Sequence, residues 1–172
     1  MSGIPQKMIA YNAYSNGNKL IGVTGEVETP EIEFMSDTVS GAGIGGEVDV
    51  VAEGIVSGME IEIPFIDITG SIFDIWQKGK TAEVTLRGSE QSQDTSSGMI
   101  SKVPVKCAVR GMVKKIKPGK YGTGIAMESS ITLAVHYIKI DVNNKTMLEI
   151  DPFNMVCIIN GVDVLEEVRN QI

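Results

Sequence analysis

Gly41, Gly43, Gly45 and Gly46 fall within six residues and are followed by Glu47 and Asp49 in the stretch SGAGIGGEVDV, residues 40–50. The letters at Gly41, Gly43 and Gly46 satisfy G-x-G-x-x-G, a pattern that cradles a pyrophosphate at the start of a helix. That chemistry needs a buried strand before the glycines and a helix after them. The residues before them, Met35 to Ser40, are mostly polar, and Val48 and Val50 alternate with acids in strand fashion. Glu47 and Asp49 would also meet a phosphate with like charge. A nucleotide site is disfavoured. What remains is a long glycine-rich arm at about residues 37–57, of a length that is either functional or disordered, with glycines free to adopt positive φ.

The chain carries no Gly-x-Ser-x-Gly, no Walker sequence and no His-Glu-x-x-His. His136 is the one histidine; it lies in a strand-like run and reads as a sheet residue before a metal ligand. The pairs Glu60/Glu62 and Glu166/Glu167 are of a type that does acid–base work, but in a chain of net charge −7 they read as solvated faces. Cys107 and Cys157 sit in apolar β-like runs and read as two buried thiols, with a disulfide as the alternative. Lys114, Lys115 and Lys117 precede a Pro118-Gly119 turn and are either a solvated hairpin end or an anion contact. The expectation is no enzyme, no metal, no cofactor and no small-molecule substrate.

At 172 residues the chain reads as a single domain, 1–172, long enough to bury a core. Abundant Gly, few aromatics and many Val, Ile and Thr point to β structure with many turns. No apolar run approaches membrane-spanning length, and Met1 to Lys7 lacks the pattern of an export signal. The charge of −7 argues against tight, sequence-independent binding of nucleic acid.

Strands are expected over residues 19–27, 31–34, 59–63, 81–88, 103–110, 129–142, 146–150 and 155–159. The clearest is 59–63, where Met59, Ile61 and Ile63 alternate with Glu60 and Glu62. Ile131, Leu133, Val135 and Tyr137 are expected on one face. A short helix is expected over 70–78, capped by Thr69, with Ile72, Phe73, Ile75 and Trp76 on its apolar side and Trp76 as a core anchor. Residues 89–97, polar and without period, are expected to form an exposed loop. Asp163 and Glu166 fit a capping box for a terminal helix, with Val164, Leu165, Val168 and Ile172 as its stripe. The fold class is therefore mainly β: an antiparallel β-sandwich or barrel with one or two short flanking helices and a long extended glycine-rich arm.

Three segments run in order almost from end to end. The first is Ile4-Pro5-Gln6-Lys7 through Asn12-Ala13-Tyr14, with Gly22-Val23 and Thr29-Pro30 beyond it. The second is Gly41-Ala42-Gly43-Ile44-Gly45-Gly46-Glu47-Val48-Asp49. The third is Glu149-Ile150-Asp151-Pro152-Phe153-Asn154, followed by Asn160-Gly161-Val162-Asp163-Val164-Leu165 and Arg169. Together they resemble the major tail tube proteins of contractile-tailed bacteriophages, a family shared with R-type bacteriocins. Residues 85–125 carry no signature of it.

The resemblance implies hexameric rings stacked into a hollow conduit inside a contractile sheath, for DNA passage or membrane puncture, with strands from six subunits joined into one inner barrel. It implies no active site. The implied partners are further copies of the chain in the ring and along the axis, sheath protein, baseplate and tail-terminator proteins, and DNA passing without specific binding. The implied location is a virion or phage-tail-like particle, assembled in the bacterial host cytoplasm. The arm then becomes a subunit interface carried by Gly41, Gly43, Ile44, Gly45, Gly46, Glu47, Val48, Asp49 and Val50. Six copies of charge −7 bring −42 to a ring, which suits the passage of a polyanion. Two readings compete: a ring-forming tube protein of a related secretion or injection system, and a ligand-binding β-barrel, which would need an apolar cavity.

Overall fold

The computed structural model describes residues 3–23 and 25–172. Met1 and Ser2, the start of the stretch read for export, and Thr24, one position of the strand expected over 19–27, lie outside the described residues. In chain order the elements are β1 (Gly3–Ser15), β2 (Asn18–Lys19), β3 (Phe34–Val39), β4 (Val48–Val56), β5 (Met59–Phe65), α1 (Gly70–Ile75), β6 (Ala82–Asp94), β7 (Ile100–Lys117), β8 (Ser129–Val142), β9 (Lys145–Asp151), β10 (Val156–Ile159), β11 (Val162–Asp163) and α2 (Glu166–Gln171), with a 3-10 turn, Pro152–Asn154, before β10.

Nine of these strands form one antiparallel sheet in the order β11-β10-β9-β8-β7-β6-β1-β2, with β5 also paired to β8. The sheet branches at β8. Ser129 to Val135 pair with β5, and Ile138 to Val142 pair with β9. The branch gives the core two walls, in the manner of a sandwich, and the sheet does not close into a barrel. β3 and β4 pair only with each other.

Alternation decides which side chains enter the core. Met59, Ile61, Ile63 and Phe65 of β5 are buried and Glu60 and Glu62 are exposed. Val84, Val109, Ile131, Leu133 and Ile150 meet them, and Ile72 and Ile75 of α1 join the same cluster. Each such side chain contributes about 1.5–3 kcal/mol by leaving water. A register shift between Arg110 and Gly111 pairs Val135 with Gly111 and Tyr137 with Arg110. His136 is the extra residue, so Ile138, not the expected Tyr137, fills the core position. Gly111 is required there, because a Cβ would collide with the Ala134 carbonyl.

Four local expectations are corrected. Residues 89–94 are not a loop: β6 runs on to Asp94, paired with both β1 and β7, and only 95–97 form the expected exposed turn. Polar side chains pair across these strands, with Gln6 donating to Gln93 at 2.8 Å and Gln91 donating to Gln6 at 2.6 Å. The strand expected over 19–27 is reduced to β2 and an isolated bridge from Val23 to Phe65. The helix over 70–78 ends at Ile75, which leaves Trp76 57% exposed and outside the core. The capping box is not made. Asp163 accepts from the Leu165 N–H at 3.1 Å, and α2 begins after Leu165 without a side-chain cap.

Candidate subunit interface

The glycine-rich arm is a β-hairpin. Val39 pairs with Val48, Thr38 with Asp49 and Asp37 with Val50. The Thr38 hydroxyl donates to the Asp49 carboxylate at 2.8 Å and fixes the register beside the turn. The turn itself is open, with the Ile44 N–H on the Gly41 carbonyl at 3.0 Å. Gly43, at φ +92°, needs to be glycine; at Gly41, Gly45 and Gly46 an added Cβ would meet nothing within 4 Å. No helix follows the glycines, so the cradle that a dinucleotide requires is missing here.

All nine residues expected at the interface lie on this hairpin, and all are exposed. Ile44, Val48 and Val50 are 41%, 52% and 50% exposed, and Val39 and Val51 join them. Neither face of the outer hairpin packs on its own domain. A two-stranded hairpin alone is marginally stable in water, and clustered exposed β-branched side chains mark an interaction surface.

The root of the hairpin is built differently. Gly54 is buried at φ +79°, and a Cβ there would stand 2.7 Å from Leu165 Cγ and 3.0 Å from Val164 Cγ2. The Ser57 N–H closes the base on the Glu33 carbonyl at 2.8 Å. Leu165 is buried just before α2. Arg169 holds this end down, donating to Asp163 at 2.6 Å and to the Met155 carbonyl at 2.8 Å. That hydrogen bond from Arg169 holds the Asp163 carboxyl below its ordinary range. Leu165 was read as part of an apolar stripe, but its contact with Gly54 was not; the available signal was a glycine inside an otherwise β-branched strand.

A second surface lies where β1, β6 and β7 extend beyond the core. Among the described residues, β2 covers the outer edge of β1 only at Tyr14 and Ser15. This ribbon exposes Ile4, Met8, Ile9, Met99 and Ile100. Its end is fastened by Asp94, which accepts hydrogen bonds from Ser96 and Ser97 that lower its carboxyl to about 2.

The other groups with chemical potential are occupied. Glu60 is paired with Lys114, and Glu62 with Lys117 at 3.5 Å. Glu62 also accepts from the Ser130 hydroxyl at 2.6 Å, the main cause of its lowered carboxyl. His136 packs on Phe153 with ring centres 5.1 Å apart. Cys107 and Cys157 are buried thiols; burial pushes Cys107 up to about 11 and raises Cys157 as well.

The family profile described as phage tail tube protein FII matches residues 5–172. The tail tube protein of Escherichia phage P2 is 30% identical over 174 residues, covering 98% of this chain and 98% of its own. The major tail tube protein of Serratia phage KSP20 is 27% identical over 153 residues, covering 89% of this chain and 86% of its own. The chain belongs to the phage tail tube protein FII family and is a structural component of a phage tail.

Proposed function

We propose that this chain assembles into hexameric rings that stack into a hollow tube, sheathed and capped by other tail proteins, with the β3–β4 hairpin as the contact that reaches a neighbouring copy. The observation that carries the reading is the hairpin: two paired strands with exposed Val39, Ile44, Val48, Val50 and Val51, joined to their own domain at the root, through Gly54, Phe34 and Val56. Fixing a backbone residue costs about 1–2 kcal/mol, and the outer hairpin has no core of its own to offset that. A neighbouring copy supplies the missing surface, so ordering and assembly are coupled. A contact between two different patches, repeated with closure, makes a ring; axial repetition makes a tube. The work is geometric: a wall with a lumen for DNA, without specific binding to it.

Electron microscopy and sedimentation of the purified chain test the reading. Rings or tubes are expected at high concentration, and deletion of residues 41–47 is expected to leave a folded monomer that builds neither. A strict monomer from the full chain under every condition overturns it. Hydrogen exchange tests the coupling, which fails if the hairpin amides are as protected in the monomer as in the tube.

A further inference from the structure

Charge is unevenly spread along the chain. Residues 20–77 hold twelve of the twenty-two Asp and Glu and no Lys, Arg or His; the rest hold ten acids against all fifteen Lys and Arg. The hairpin lies inside the acidic stretch. Its Asp37, Glu47 and Asp49 are exposed and make no ion pair among the described residues. Asp49 is the second residue of β4, and Glu47 immediately precedes the strand.

The opposite sign is concentrated on the solvent face of the long strands. Arg87 of β6 and Lys106 of β7 are both exposed and sit directly opposite one another in the ladder. Like charges at that position are destabilising. Arg87 is held over the Tyr14 ring at 5.0 Å. On its other side Lys106 stands across from Asp141, an acidic neighbour that accepts from the Thr146 hydroxyl at 2.9 Å, but among the described residues Lys106 makes no ion pair. Arg110, four residues along the same strand, is by contrast matched to Glu83 at 3.2 Å. The Arg87–Lys106 pair is therefore an exposed cationic pair that makes no ion pair among the described residues and is open to an anionic partner.

We propose that Glu47 and Asp49 at the hairpin of one copy dock on the Arg87–Lys106 pair of a second copy. The inference rests on the reading of the hairpin as an intersubunit contact and names its receiving surface. A head-to-tail contact needs two unlike patches, and these two are opposite in sign and equal in number. Val51, on the same face of β4 as Asp49, supplies apolar contact area, and the charges set orientation and register.

The test uses the full chain in light scattering and sedimentation. Glu47→Lys with Asp49→Lys, and separately Arg87→Glu with Lys106→Glu, should each raise the concentration at which assembly begins by about tenfold or more. Combining all four reversals should restore it, and added salt should weaken assembly of the native chain. Thermal melts identify any variant that is merely unfolded; Asp49→Asn and Lys106→Gln then serve in its place with a smaller effect in the same direction. Variants that assemble like the native chain, or a fourfold reversal that rescues nothing, overturn the inference while leaving the tube reading intact. So does a Lys106→Glu variant that assembles normally but loses retention of a DNA oligonucleotide, which assigns the face to phosphate. A native chain that never assembles overturns both.

Discussion

Replacing Gly54 with alanine tests how the hairpin is joined to the domain. The backbone sits at φ +79°, where a side chain costs about 1–2 kcal/mol. The new methyl would also press on Leu165 Cγ at 2.7 Å and Cδ2 at 2.8 Å, a branched core side chain with little room to retreat. Overpacking of this kind costs about 1–3 kcal/mol. The two add to about 2–5 kcal/mol, and at about 2–4 °C per kcal/mol for a chain of this size the melting temperature falls by about 4–20 °C. If the strain is released locally, the hairpin lifts from Leu165, and amide exchange rises in β4 and α2 before the rest of the sheet. Gly45→Ala is the control: a Cβ there meets nothing within 4 Å and φ is not left-handed, so the change stays within about 0.5 kcal/mol. A Gly54→Ala protein with native melting temperature and native exchange in both elements would refute the account of the root.

The Asp94 carboxyl should titrate near 2 in carbon NMR. Its native value lies below the unfolded one of about 3.9, so its contribution to stability is complete above that pH and disappears as pH falls toward 2; an unshifted midpoint contradicts the hydrogen-bonded turn. Cys107, with its thiol pushed up to about 11 by burial, should resist maleimide at neutral pH in the native chain and react once it is unfolded; rapid native labelling would contradict its burial. Trp76, the one tryptophan and 57% exposed, should be readily quenched by acrylamide in the free subunit, and Trp76→Ala should cost about 1 kcal/mol or less; blue-shifted, unquenchable emission would place it in the core after all.

The legible parts of the fold were those in which one residue type repeats at the strand period. β5 is the clearest case, since Met59, Ile61 and Ile63 have a single way to face a core. The long run over 129–142 was placed correctly as one strand, but the shift at His136 was not, because a bulge is decided by the partner strand and leaves no periodic trace of its own. Residues 89–94 were hidden for another reason. Their ladder is held by polar side chains such as Gln91 and Gln93, on a ribbon with no deep core, and period-based reading sees only buried faces. The glycine arm was found as an arm and mistaken in form, since Ser36, Thr38 and Asp49 pair through backbone and hydroxyl contacts that composition does not show. Trp76 was misplaced because α1 stops one residue before it.

The exposed edges and the hairpin are protected to different degrees, and this bears on how premature polymerisation is avoided. A free edge pairs with any extended chain unless it is blunted. The outer edge of β1 is blunted by Pro5, which offers no N–H, by register shifts after Pro5 and after Met8, and by Lys7. The hairpin has a register shift only near its root, between Phe34 and Ser36; beyond it β3 and β4 have no other partner strand among the described residues, and Val48, Val50 and Val51 stand in the open. Its safeguard on the proposed reading is marginal order together with the charge of Glu47 and Asp49, which repels the like hairpin of another copy. On that reading like hairpins repel one another, and a productive contact takes a surface of the opposite sign. A sheet face can supply that surface through long strands whose register is set by the core, which ties the geometry of the tube to the packing of each subunit.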